Sequence, residues 1–264
     1  MSFLDRELSW CAGRTVRELL VVAGGTAIVI AEVVRPGPVD IGNLAVYLLA
    51  TLLLLLRFFA ARAAAVGACI GAIVQQWPHL RHGEVTLETL ALLPLAGIAL
   101  LASSDLVDRF ERAPSRLRWL PNPWASFTAA ETRSLRWAAY AAGALAGLLD
   151  HTLQLVTRTA QLHGMTAPWW PRIAMVVLVG ALALLCLGRA VGLLIVWLAA
   201  VVVAVLVAPL AWQAEPLLQR GDTLAPLYQY AAPYLLPVLL LAVAAALLTT
   251  PAVARLLART LRSP

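Results

Sequence analysis

Eight apolar runs divide this chain, at about 18–34, 41–57, 62–77, 88–104, 134–158, 172–188, 190–212 and 231–250. Each approaches the ~20 residues with which a helix crosses a ~30 Å hydrocarbon layer. None alternates with period two, and in lipid every backbone group has to be satisfied within its own segment, so the runs are expected to be helices. Composition points the same way. The 264 residues are 61% hydrophobic and 13% charged, against the roughly 45–50% and 25% of a soluble domain. A soluble fold of this size has too little interior for so much apolar surface. The sequence therefore predicts an all-α, polytopic integral membrane protein of about eight transmembrane helices, with six or seven as alternatives.

One boundary stays open. Between Leu52 and Ala65, Arg57 and Arg62 bracket Phe58, Phe59, Ala60 and Ala61 without a glycine or proline to turn the chain. Either the chain reverses there, or 41–77 is one long or partly interfacial helix. Arginine placement favours reversal. With eight spans and an inner N-terminus, fifteen arginines fall inside and five outside (Arg35, Arg81, Arg158, Arg172 and Arg220), the bias of a positive-inside topology. Both termini are then cytoplasmic. Tryptophans agree, with Trp77, Trp169, Trp170 and Trp212 at outer ends and Trp10, Trp119, Trp124 and Trp137 at inner ones. Trp197, inside the seventh run, is the exception. The first run lacks a small-x-small cleavage site and has Asp5 and Glu7 among its flanking arginines, so it is expected to be retained.

The +6 charge needs no nucleic acid as a partner, because arginines at a cytoplasmic interface account for it. All twenty basic residues are arginine, a compositional habit rather than chemistry. Cys11, Cys69 and Cys186 make no Cys-x-x-Cys pair and imply no disulfide framework. Phosphate loops, His-Glu-x-x-His and acidic metal clusters are all absent from the sequence.

The whole chain, 1–264, reads as a single transmembrane domain with a cytoplasmic loop at about 104–133 and a basic tail at about 251–264. In the loop, Leu106, Val107 and Phe110 share a face opposite Asp105, Asp108, Arg109, Glu111 and Arg112, which predicts a short interfacial helix ending before Pro114. Such a segment either docks a cytoplasmic partner or lies on the headgroups. Thr128 and Glu131 have capping-box spacing and should start the fifth helix before it enters the bilayer. In the tail, Arg255, Arg259 and Arg262 suit an anionic-lipid anchor.

Two glycine faces predict close helix packing: Ala139, Gly143 and Gly147 in the fifth run, and Gly67 and Gly71 in the third. The second pair flanks Cys69, but no base near it favours a nucleophile. Beyond Gly147 the fifth run turns polar, with Asp150, His151, Gln154, Thr157, Arg158 and Gln161 mostly on one side. Ionisable groups at such depth mark a relay, an access path for a polar substrate, or a cluster paired across helices with Arg158 reaching to water. His79, His82, His151 and His163 all fall on the outer side and are weak candidates for metal or haem ligation. Pro94, Pro233 and Pro237 are expected to kink or break their helices.

Three functional expectations result. The first is a transmembrane subunit of a transport or assembly complex in a bacterial inner membrane, with the bilayer and other membrane or cytoplasmic subunits as partners, no cofactor and no catalytic domain of its own. The second is a self-contained intramembrane carrier or enzyme using Asp150 and His151. The third is a redox or metal-binding membrane subunit.

Overall fold

The computed structural model describes residues 3–11, 13–34, 41–57, 59–81, 87–107, 109–110, 127–162, 170–187, 189–219 and 225–261. Within the helices, the backbone alone is described at 75–81, 87–93, 149–162, 170–172, 210–219 and 225–234, among other positions. Eight long helices make up most of the described residues: α1 (Val16–Val34), α2 (Ile41–Leu55), α3 (Phe59–Arg81), α4 (Leu87–Leu101), α5 (Ala129–Leu162), α6 (Trp170–Cys186), α7 (Val191–Gln219) and α8 (Ala225–Thr260). One apolar run underlies each helix. Among the described residues, two helices contain a stretch long and apolar enough to cross a membrane, at Val191–Pro209 and Leu235–Ala258. Helix α1, by contrast, carries Arg17, Glu18 and Glu32.

Successive helices alternate in direction, which brings the starts of α1, α3, α5 and α7 together with the ends of α2, α4, α6 and α8. Contacts at this end cross-link the bundle. Arg14 Nη2 donates to the Leu55 carbonyl, Arg62 Nη1 to that of Leu101 at 2.7 Å, and Arg255 Nη2 to Ser134 Oγ at 3.2 Å. Helices α5 and α8 pack on each other along their length, α3 lies against α5, and α7 against α8. Helix α1 joins the rest mainly through α2.

Small and large apolar side chains share the centre, where Leu145, Leu178, Val203 and Val238 are as fully buried as the alanines. Ala138, Ala139 and Ala142 of α5, Ala181 of α6, Ala200 of α7, and Ala242 and Ala245 of α8 are wholly buried. Large aliphatics face outward from the same helices, with Val176 72%, Val205 65%, Leu240 61% and Leu247 70% exposed. On α8 the two faces alternate at helical spacing: Leu236, Leu240, Val243 and Leu247 lie outside, while Leu235, Val238, Ala242 and Ala245 lie inside.

The reversal that arginine placement favours is present: the segment 41–77 is two helices, and the chain turns at Arg57, a non-glycine residue with φ 55°. Other elements differ from expectation. The segment after α4 makes one helical turn, Ser104–Val107, and its Leu106 and Phe110 are buried beside Leu54 and Leu101 instead of facing away from the bundle. The basic tail begins inside α8, which runs on to Thr260, and Arg255 is held by Ser134. Pro94, Pro233 and Pro237 interrupt no helix: α4 and α8 are continuous through them.

Helix α5 starts where its capping box places it. Thr128 N donates to Glu131 Oε2 at 2.8 Å, and Glu131 N donates back to Thr128 Oγ1 at 3.3 Å, satisfying two amides that a helix start leaves unpaired. Trp197 also gains an explanation. Its indole Nε1 donates to Thr250 Oγ1 at 3.1 Å, so α7 and α8 supply the partner that an indole at apolar depth requires.

Candidate functional site

The two glycine faces read separately in the sequence meet each other. A Cβ on Gly67 would stand 2.0 Å from the Tyr140 carbonyl oxygen, one on Gly71 2.6 Å from that of Ala144, and one on Gly143 2.2 Å from that of Ala64. Backbone thus touches backbone across α3 and α5, the approach that only glycine permits. Cys69, between the two α3 glycines, faces α4, where Gly97 makes room for its sulfur.

The pairs Gly67–Tyr140 and Gly71–Ala144 share one offset, so α3 and α5 are parallel and in register. Val74 packs against the cluster containing Leu145 and Leu148, which carries the contact one turn further. Extending the register along the helical backbones puts the positions of Gln75 and His79 at the level of Leu148 to Thr152. Asp150, His151, Gln154, Thr157, Arg158 and Gln161 all belong to α5, as does Gly147; the side chains of these six polar residues lie outside the described residues. So do His82 and His163 entirely, and the His79 side chain. Among the described residues, no three His, Cys, Asp or Glu side chains gather as a metal site.

The opposite, arginine-rich end holds a polar network that the sequence analysis did not find. An N-terminal hairpin pairs Glu7 with Thr15 and Leu8 with Arg14, turning at Gly13, whose φ of 68° suits glycine. The hairpin lies across the helix ends. Glu18, 2% exposed, accepts Arg57 Nε at 2.5 Å, Arg57 Nη2 at 2.7 Å and the Thr15 amide at 2.9 Å. The Gly13 carbonyl accepts from both Arg57 Nη2 and Arg109 Nη1. Arg17 pairs with Asp5 at 3.0 Å and reaches the Ala99 carbonyl at 3.1 Å; Arg109 pairs with Glu7 at 2.5 Å. Arg62, 1% exposed, also lies 3.4 Å from the Tyr140 hydroxyl.

Three carboxylates, the Gly13 carbonyl, and the terminal carbonyls of α2 and α4, where the helix dipole favours a cation, hold these five arginines. Arg14 is 8% exposed, its Nη2 caps α2, and its buried Nη1, like Arg62 Nε, has no hydrogen-bond partner among the described residues. As sequence features, these residues signalled topology alone. Only the long separation between Glu18 and Arg57, or between Glu7 and Arg109, hides their pairing.

No protein-family model, curated protein or solved structure matches this chain. The class that the fold defines is a mostly helical bundle with two helices apolar enough to cross a membrane.

Proposed function

We propose that this chain is a multi-pass protein of a bacterial inner membrane, with both termini cytoplasmic, and that it serves as the transmembrane subunit of a transport or assembly complex. The apolar periphery of the bundle supports the membrane reading. Leucines and valines stand exposed along α6, α7 and α8, whereas a soluble monomer rarely leaves more than a few hundred Å² of contiguous apolar surface in water. Helix association in lipid gains from close contact of small residues instead of from burying large ones. The alternating helices also gather Arg14, Arg17, Arg57, Arg62, Arg109 and Arg255 at one end, the distribution of a cytoplasmic face.

One observation carries the subunit reading. Helix α1 turns outward Ala23, Thr26, Ala27 and Ala31 between exposed Leu20 and Ile30, beside Gly24, which has nothing within 4 Å of a Cβ position. Thr26 on the same face satisfies its hydroxyl on the Val22 carbonyl of its own helix. Gly67, Gly71 and Gly143 are covered by a neighbouring helix, whereas the exposed face of α8 is leucine and valine. A helix of another subunit fits the α1 face.

The test is purification in mild detergent at native expression. A defined partner should co-purify, Ala27→Phe should release it, and Leu247→Phe on the α8 face should not. A lone chain from the unmodified protein, sedimenting with membranes, overturns the subunit reading; recovery in the soluble fraction overturns the membrane reading as well. Cysteines placed at Gly83 and Pro121 should label from opposite sides of the membrane.

A second reading, a self-contained carrier or intramembrane enzyme, draws on the register of α3 and α5. It brings the backbone positions of Gln75 and His79 to the level of Asp150 and His151. Under that reading Asp150→Asn abolishes transport or turnover without lowering expression, and unchanged activity dismisses it.

A further inference from the structure

We propose that the first arm of the N-terminal hairpin, residues 3–11, is an ionic-strength-sensitive strap, closed over the arginine-rich end at low salt and released from it as salt rises. The two arms are held differently. No residue from 3 to 11 is buried, and none of its apolar side chains belongs to the clusters at the centre of the bundle. Phe3 is 72% exposed and Trp10 79%. The returning arm, by contrast, is buried at Arg14 and Thr15 and runs directly into α1. The chain turns at Gly13, ahead of that anchored arm.

Charge ties the first arm to the helices. Asp5 accepts from Arg17 Nε at 3.0 Å, and Glu7 from Arg109 Nη2 at 2.5 Å. These two carboxylate side chains are 24% and 60% exposed, whereas that of Glu18, on Arg57, is 1% exposed. Salt separates the two classes. The Debye length shortens from ~10 Å at 0.1 M to ~3 Å at 1 M, and pairs that face solvent are screened far more than buried ones. The arm also carries backbone bonds, from the Val16 amide to the Arg6 carbonyl at 3.2 Å and across the pairs Glu7–Thr15 and Leu8–Arg14. A ladder that short does not hold a hairpin by itself. Opening carries the Asp5 and Glu7 carboxylates away from Arg17 and Arg109 and leaves Glu18 on Arg57, so the turn between α2 and α3 survives while the end of the bundle is uncovered. The inference rests on the membrane reading for one point, that the strap answers to the ionic strength of the cytoplasm.

The experiment follows amide hydrogen exchange of the full-length protein in an uncharged detergent by mass spectrometry, between about 0.05 and about 0.5 M potassium chloride. Exchange of the paired strands and of the Val16 amide should rise about fivefold across this range, while the middle of α1 and the start of α5 hold steady. In Asp5→Asn/Glu7→Gln the same amides should exchange at the fast rate already at low salt and respond no further. Exchange that is independent of salt in the unmodified protein overturns the proposal, as does a salt response that persists in the double variant. An equal rise in α1 and α5 overturns it too, because it marks loosening of the whole bundle. Each of these results leaves the membrane reading standing, whereas recovery of the protein from the soluble fraction removes the cytoplasmic assignment and not the strap.

Discussion

Replacing Glu18 by alanine tests whether the buried pair with Arg57 sets the turn between α2 and α3. The substitution removes two charged contacts, at 2.5 and 2.7 Å, and the acceptor for the Thr15 amide. The Glu18 side chain is 1% exposed and that of Arg57 14%, so water replaces little of what is lost. Removing one member of a buried ion pair costs about 3–5 kcal/mol. Arg57 keeps the Gly13 carbonyl, which places the expected loss near the lower end, about 3 kcal/mol. Arg57→Ala should cost a similar amount. Arg57→Gly should be about 1 kcal/mol milder, because glycine adopts the left-handed backbone that Arg57 holds at φ 55° without the clash of a Cβ. The double variant Glu18→Ala/Arg57→Ala should lose far less than the sum of its parts, with a coupling of about 2 kcal/mol. Reversible unfolding in mixed micelles measures all four. Additive single losses, or single losses below about 1 kcal/mol, would refute the pairing argument; equal values for Arg57→Gly and Arg57→Ala would refute the conformational part.

Three further outcomes follow from the packing. Gly67→Ala should destabilise strongly, by about 2 kcal/mol or more, because its Cβ meets the Tyr140 carbonyl at 2.0 Å, whereas Gly180→Ala, with nothing within 4 Å, should be neutral or slightly stabilising in the same unfolding assay. Thr128→Ala should cost about 1 kcal/mol through loss of the α5 cap, with faster amide exchange confined to the first turn; exchange spread along the helix would contradict a local cap. Thr250→Val should cost about 1 kcal/mol and shift the emission of Trp197, and an unchanged spectrum in a protein with Trp197 as its only tryptophan would show that the hydrogen bond is not formed.

Helix number and type were legible because each predominantly apolar run spans several helical turns, and the α5 start was legible because Thr128 and Glu131 are three residues apart. Glycine spacing was equally plain, since Gly67 and Gly71 are four residues apart in one run and Ala139, Gly143 and Gly147 repeat at the same step in another. Which glycine face met which was not, because a period identifies a face and not its partner. The fate of Leu106 and Phe110 was misread for a related reason: an amphipathic turn looks the same whether lipid or three neighbouring helices cover its apolar side.

Sequence alone determined what is local to each segment: eight apolar helices, the cap of α5, and a strong excess of arginine toward one set of ends. Tertiary structure decided what depends on distant residues. The turn at Arg57 has no glycine or proline to make it, and the chain reverses there because Glu18, thirty-nine residues earlier, holds the guanidinium. Trp197 is explained only by Thr250, fifty-three residues on. The arginines that counted as topology markers serve as the clamps of the bundle's end, because α2 and α4 finish beside them and present carbonyls that no residue nearby in sequence can satisfy.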